Sequence, residues 1–300
     1  MRQRRWPMLI IVLMLLLAAP TWAEVCKGSK IPRAELQGYD AQAVLSAADQ
    51  ESALRTHLPW GQVACPKLLP STAYVICYDP VAKIALWASY HLTAEDLLQS
   101  DRRDAFRTDP RLTDTESAHC DDYAGSGYDR GHVVPNSDMG RTPQVQAGTF
   151  YLSNMTPQSP ALNRGMWRWL EELVRTYVKQ YGTLHIVTGA VVPENAPTVP
   201  SGNVRVPAQY YKALLRTDSS GTPATALTIL LPNLPDGIPV PPGTRGVTGQ
   251  KVSGPEADAY LKGHLVSIKE LERQTGLALL PKLDAESLKT AVASELWPRN

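Results

Sequence analysis

Three short blocks place histidine, arginine and asparagine near one another in the chain: Tyr128-Asp129-Arg130-Gly131-His132, then Ser153-Asn154, then Leu162-Asn163-Arg164-Gly165. These residue types suit metal-assisted cleavage of a phosphodiester. A histidine near its unperturbed pKa can take a proton from water at neutral pH. An arginine offers a planar fork of donors to phosphate oxygens. An asparagine carbonyl is a hard, neutral oxygen of the kind Mg2+ accepts while it keeps most of its waters. His132 is therefore a candidate general base, Arg130 a phosphate contact and Asn163 a metal ligand. Each residue also has a plainer reading: a core histidine held by hydrogen bonds, a solvated arginine, and an asparagine used as a helix N-cap.

The elements that must carry these residues can be traced along the chain. Ala73 to Tyr78 and Ile84 to Tyr90, separated by an Asp79-Pro80 turn signal, read as an antiparallel hairpin. Asp101 to Gly127 is polar and rich in turn residues, a long loop directly before the histidine block. Thr149 to Ser153 reads as a short buried strand ending at Asn154. A helix is expected from about Arg164 to Tyr181, where Trp167, Leu170, Val174, Tyr177 and Tyr181 recur at steps of three and four. Asn163 falls at or beside its N-cap, and Arg168 with Glu172, and Glu171 with Arg175, are spaced for i,i+4 pairing. Leu184 to Val187, Tyr210 to Leu215 and Ala226 to Leu231 supply further strands. Ala257 to Gly276 is a second helical region broken near Gly263, and Ala285 to Trp297 is expected as a terminal helix. Glu24 to His57 has a helical period in Ala43, Leu45, Ala48 and Leu54 and reads as an appendage of one or two helices. The pattern is α+β around a largely antiparallel sheet.

Four blocks in order carry a resemblance: Tyr128 to Met139 (YDRGHVVPNSDM), Thr149 to Gln158 (TFYLSNMTPQ), Leu162 to Glu171 (LNRGMWRWLE) and Val206 to Lys212 (VPAQYYK). Together they resemble the DNA/RNA non-specific endonuclease family, the ββα-metal nucleases that include endonuclease G. The resemblance implies a ββα-metal fold, with His132 as the base that deprotonates the attacking water and Asn163 as the ligand of a single Mg2+, for which Mn2+ could substitute. It makes Asn154 an organiser of the site through hydrogen bonds. Glu171, two turns and a little beyond Asn163, would accept from a metal-bound water. Arg130 would contact phosphate or shape the site. A further phosphate-binding arginine is expected shortly before Thr108-Asp109-Pro110, with Arg103 the first choice and Arg102 and Arg107 its rivals. Asp129 reads as structural, orienting the turn or its neighbouring arginine. Trp167 and Trp169 could stack on bases, although Trp167 belongs to the apolar stripe.

The N-terminus reads as an export signal. Arg2, Arg4 and Arg5 precede the apolar run Met8 to Ala19, and Thr21-Trp22-Ala23 offers a small-residue cleavage site; the apolar run is short for a permanent membrane anchor. The expected division is a signal over residues 1–23, the appendage over 24–57 and a nuclease domain over 58–300. Loss of the signal turns 30 basic against 29 acidic residues into 27 against 29. A near-neutral protein must grip a polyanion locally, and Arg102, Arg103, Arg107, Arg111, Arg130, Arg141, Arg164 and Arg168 cluster in one third of the chain. The four cysteines, an even count in an exported chain, suggest two disulfides among three possible pairings. Cys26 with Cys65 and Cys77 with Cys120 is the preferred one. A zinc site around His119-Cys120-Asp121-Asp122 lacks the usual ligand spacing.

The leading expectation is thus an exported, periplasmic or extracellular, Mg2+-dependent endonuclease acting on DNA and RNA and leaving 5′-phosphate ends. It would have no stable membrane association after signal cleavage, and a homodimer and an inhibitor protein remain open. A catalytically inactive module for DNA capture or uptake is the alternative, and intact His132 and Asn163 argue against it.

Overall fold

The computed structural model describes residues 23–61, 64–98, 102–200, 202–219, 221–234 and 254–299. The expected signal over residues 1–23 lies, but for Ala23, outside them. The strands in chain order are β1 (Lys67–Pro70), β2 (Val75–Asp79), β3 (Ile84–Thr93), β4 (Asp129–His132), β5 (Met155–Gln158), β6 (Thr183–Val191), β7 (Gln209–Thr217) and β8 (Pro223–Pro232). The helices are α1 (Arg33–Ala41), α2 (Ala47–His57), α3 (Pro143–Gly148), α4 (Trp167–Tyr181), α5 (Gly254–Lys262), α6 (Ile268–Thr275) and α7 (Glu286–Thr290). Six strands form one sheet in the order β1-β2-β3-β6-β7-β8, every neighbouring pair antiparallel. β4 and β5 form a separate two-stranded ribbon.

The large sheet is covered on both faces, which is why its strands are apolar runs rather than alternating ones. Ile76, Tyr78, Tyr90, Leu92 and Ile186 face α4, meeting Trp167, Leu170, Val174 and Tyr177. Their neighbours Val75, Cys77, Trp87, Val187 and Tyr211 point the other way, toward Leu271 of α6 and Leu54 of α2. The period of two along β2 and β3 sorts the residues between these layers. Gly182, with φ +87°, ends α4 in a conformation that costs a glycine little and turns the chain straight into β6. The ribbon β4–β5 and helix α4 together make the ββα unit that carries the candidate residues.

Several expectations change in detail. The appendage is two helices, α1 and α2. Thr149 to Ser153 is not a strand. The amide of Asn154 donates to Thr149 O (2.8 Å) and Thr149 Oγ1 donates to Gln146 O (2.7 Å), so local bonds replace a ladder, and the strand β5 starts only at Met155. The terminal helix shrinks to Glu286–Thr290. The disulfides are Cys26–Cys120 and Cys65–Cys77, not the preferred pairing. The antiparallel β1–β2 register sets Leu68 opposite Cys77 and brings nearby Cys65 within reach of it. The N-terminal arm runs beside residues 104–108, with Cys26 N donating to Phe106 O (2.9 Å), and that carries Cys26 to Cys120. With Cys120 oxidised, the zinc reading around it lapses, and no group of three metal-ligating side chains occurs among the described residues.

Candidate active site

His132 is the last residue of β4, and its strand is placed by two close fits. Gly131 pairs with Thr156 of β5, and a Cβ there would lie 2.3 Å from the Gln158 side chain, so only glycine lets the two strands close. Beyond His132 the chain is pinned by Asn154, which is fully buried. Its Oδ1 accepts from Val134 N (2.9 Å), and its Nδ2 donates to Val134 O (2.9 Å) as well as to Thr149 O. Asn154 thus fixes the backbone that presents the histidine and does not itself line the cleft. The His132 ring lies edge to face with Phe150, centroids 5.0 Å apart, and 6.0 Å from Phe106. Burial, with the Arg102 charge second, pushes its pKa down to about 3, so the imidazole is neutral throughout the neutral range.

Asn163 sits in a wide π-type turn, Leu162–Met166, that leads into α4 and contains non-helical Gly165. No side-chain cap bond forms at this helix start. The N-cap reading therefore fails, because the Asn163 amide is engaged elsewhere: Nδ2 donates to Asp129 Oδ2 at 2.8 Å. The same carboxylate takes two bonds from Arg164, 2.8 Å from Nε and 2.6 Å from Nη2. Asp129 opens β4 and so ties the strand of the base to the turn of the asparagine. With its nitrogen committed, Asn163 has Oδ1 left as an acceptor on the cleft.

That cleft has a volume of about 760 Å³ and is lined by His132, Asn163, Glu171, Arg130 and Arg102 among others. Six cations line it, Arg102, Arg130, Arg164, Arg168, Arg175 and Lys179, against two carboxylates, Glu171 and Glu172. Asp104, Asp129 and Asp138 pair with Arg102, Arg164 and Arg175, which leaves a small positive excess at the cleft of a near-neutral chain. Arg130 is braced by a bond from Nη2 to Cys120 O (2.9 Å) and lies over the Phe106 ring at 5.2 Å. Phe106, which the sequence reading did not single out, lines the cleft between Arg130 and His132.

Of the three upstream arginines, the first choice, Arg103, is not brought to the cleft. Both of its terminal nitrogens bond Glu35 of α1 at 3.0 Å, an interaction the sequence of the loop alone does not reveal. Arg107 is fully buried, held by Asp40, Ala105 O and Ala147 O. Arg102 is the one that lines the cleft, with its guanidinium 5.3 Å from the Phe150 ring centroid.

Glu171 lies on the inner side of α4 above a buried charge network. Burial raises its pKa to about 7 against the pull of Lys212 and Arg175. Arg175 does not make the expected pair with Glu171; Nη1 donates to Asp138 Oδ1 at 3.0 Å, while Tyr90 OH donates to Oδ2 at 3.0 Å. The expected Arg168–Glu172 pair does form, at 3.1 Å. Lys212 is fully buried in β7, donating to Thr188 Oγ1 at 3.2 Å with its ammonium 4.6 Å from the Trp167 ring centroid. A lysine in the middle of the apolar run Tyr210 to Leu215 was the visible sign of this network. Trp167 is buried and Trp169 packs beside Gly254, its Nε1 donating to Asp258 at 3.4 Å, so neither faces the cleft.

Residues 60–286 match the family model described as DNA/RNA non-specific endonuclease. The chain belongs to that family. This nuclease is 30% identical over 234 residues to a protein named Nuclease from Nostoc sp., covering 76% of this chain and 78% of that one. It is 30% identical over 248 residues to human mitochondrial endonuclease G, with 78% and 77% covered. It is 31% identical over 237 residues to Nuclease C1 of Cunninghamella echinulata, with 73% and 85% covered. A chain in the crystal structure of the EndoG/EndoGI complex superposes with a TM-score of 0.66 at 23% identity, covering 82% of this nuclease and 97% of that chain. The fold is the ββα-metal fold, as the resemblance implied.

Proposed function

We propose that this nuclease is an exported endonuclease that hydrolyses DNA and RNA with one bound Mg2+ and His132 as general base, leaving 5′-phosphate ends. The observation that carries the reading is the convergence of His132 and the free Oδ1 of Asn163 on one cleft lined by six cations. The donor set fits a hard ion: the neutral oxygen of an amide whose nitrogen is held by Asp129, a carboxylate nearby, and, among the described residues, no cluster of protein ligands that would strip its waters. When bound, Mg2+ would stabilise the charge that builds on the phosphate and on the leaving 3′ oxygen.

The remaining work falls to the side chains. His132 Nε2 is buried and has no hydrogen-bond partner among the described residues, so Nδ1 is the nitrogen assigned to a cleft water. Nδ1 takes the proton of the attacking water, and the low pKa keeps that lone pair free at neutral pH. Arg102 and Arg130 hold non-bridging phosphate oxygens, and Glu171 accepts a hydrogen bond from cleft water. Chemistry at the phosphate does not itself require a 2′-hydroxyl, in keeping with action on both sugars. Two disulfides and the basic-apolar leader support export. The name of the EndoG/EndoGI complex supports an inhibitor protein as a partner.

Purified mature protein incubated with plasmid, single-stranded DNA and RNA tests the reading. All three should be cut with Mg2+ and none in chelator, with 5′-phosphate ends on the fragments. Cleavage that survives chelation, or none with any divalent ion, overturns it.

A further inference from the structure

The cleft is longer than the chemistry requires. One end holds His132, Asn163, Arg102 and Arg130, which suffice to grip a single phosphodiester. The cleft then continues along α4 to Lys179, three turns past Arg168. Eleven residues at about 1.5 Å each make roughly 16 Å, and eleven residues are close to three full turns, so Arg168 and Lys179 share one face. That distance is long enough for a bound strand to run past more than one phosphate.

The charges along this stretch are not equivalent. Arg175, between the two, is held by buried Asp138 and belongs to the scaffold. Among the described residues Arg168 pairs with Glu172 alone, both side chains about half exposed. Such an i,i+4 pair is worth about 0.3 to 0.5 kcal/mol and yields readily to a phosphate. Lys179 is exposed at the far end. The lining also includes Leu98, 60% exposed, an apolar surface against which a sugar or base can lie. Cations together with an exposed apolar side chain in one groove suit a polynucleotide strand, whose backbone is charged and whose sugars and bases are not.

We propose that the α4 side of the cleft is a strand-binding track, longer than one phosphodiester, on one side of the scissile phosphate, in which Arg168 and Lys179 contact successive parts of the backbone. The track rests on the nuclease reading above and adds to it a reason for preferring polymers to short fragments. Each phosphate neutralised releases condensed counterions, so the advantage of a long substrate is salt-dependent.

The test compares a single-stranded DNA of about 24 nucleotides with a dinucleotide, for wild type and for the double variants Arg168→Glu/Lys179→Glu and Arg168→Gln/Lys179→Gln. Both positions are on the surface, so the variants should fold, and melting curves check this. The ratio of kcat/KM for the long to the short substrate should fall at least tenfold in the Glu pair and less in the Gln pair. The log–log dependence of kcat/KM for the long substrate on salt should flatten by about 1.4, two contacts at roughly 0.7 each. An unchanged ratio marks these as solvated surface charges and overturns the proposal. Equal losses on both substrates would place the residues in the chemistry and overturn it too. Failure of the wild type to cut either substrate would instead strike at the nuclease reading itself.

Discussion

Replacing Asp129 with alanine isolates the orientation of the metal ligand from the ligand itself. Asp129 Oδ2 accepts from Asn163 Nδ2 at 2.8 Å, and this bond turns Oδ1 toward the cleft. A flipped amide would set its oxygen against a carboxylate. A hydrogen bond to a charged group contributes about 1.5 to 3 kcal/mol, which is about 10- to 150-fold in an equilibrium. Loss of such an outer partner commonly weakens metal affinity by about 10- to 100-fold. The Mg2+ concentration for half-maximal cleavage should therefore rise by one to two decades, with much of the rate recovered at high Mg2+. The fold should survive, because the Asp129–Arg164 pair sits beside a guanidinium whose side chain is 55% exposed and contributes little. Titrating cleavage of a plasmid with Mg2+, alongside thermal melts, reads both quantities. A Mg2+ midpoint within twofold of wild type, or a rate that high Mg2+ does not restore, shows that Asp129 does not work by aiming Asn163.

Lys212→Met removes the cation buried among Glu171 and Asp138 and should lower the unfolding free energy by about 3 kcal/mol or more; an unchanged denaturant midpoint contradicts the network. On the far face of the sheet His57, His91 and His185 are packed together, with His91 and His185 stacked at 4.4 Å. Burial lowers all three, His57 to about 4 and His185 to about 3. The folded state binds fewer protons than the unfolded one, so this stability is present above about pH 6.5 and is lost as pH falls toward those values. The melting temperature should drop between pH 7 and 4, and His185→Phe, which keeps the stack, should lessen the drop; parallel profiles refute it. Breaking Cys26–Cys120, which spans 94 residues, should cost more than breaking Cys65–Cys77, which spans 12: roughly 4.7 against 3 kcal/mol by loop-closure entropy. Because Cys120 O accepts from Arg130, the Cys26→Ser/Cys120→Ser variant should also raise KM, and an unaltered KM argues against that brace.

The hairpin β2–β3 and helix α4 were legible because their apolar residues keep one period over many positions, and packing on the large sheet rewards that period. His132 and Asn163 stood out in the sequence because each lies in one of four ordered blocks, and the fold brings both to one cleft. What stayed hidden is non-local. Glu35 captures Arg103 across 68 residues, and no pattern within the loop distinguishes Arg103 from Arg102. The cysteine pairing depends on where the N-terminal arm runs, and four cysteines alone cannot show that. Thr149 to Ser153 misled because its side chains satisfy backbone groups locally, so an apolar run reads as a strand without a ladder to join. Phe106 gave no signal, since a lone aromatic in a charged loop carries no period.

The base assignment is tested by measuring cleavage of a saturating DNA substrate by purified His132→Ala in Mg2+, together with its affinity for the same DNA in chelator. The rate should fall on the order of a hundredfold or more, while affinity stays within a fewfold, because the arginines that hold phosphate are untouched. Cleavage close to the wild-type rate would contradict the assignment of His132 as the general base.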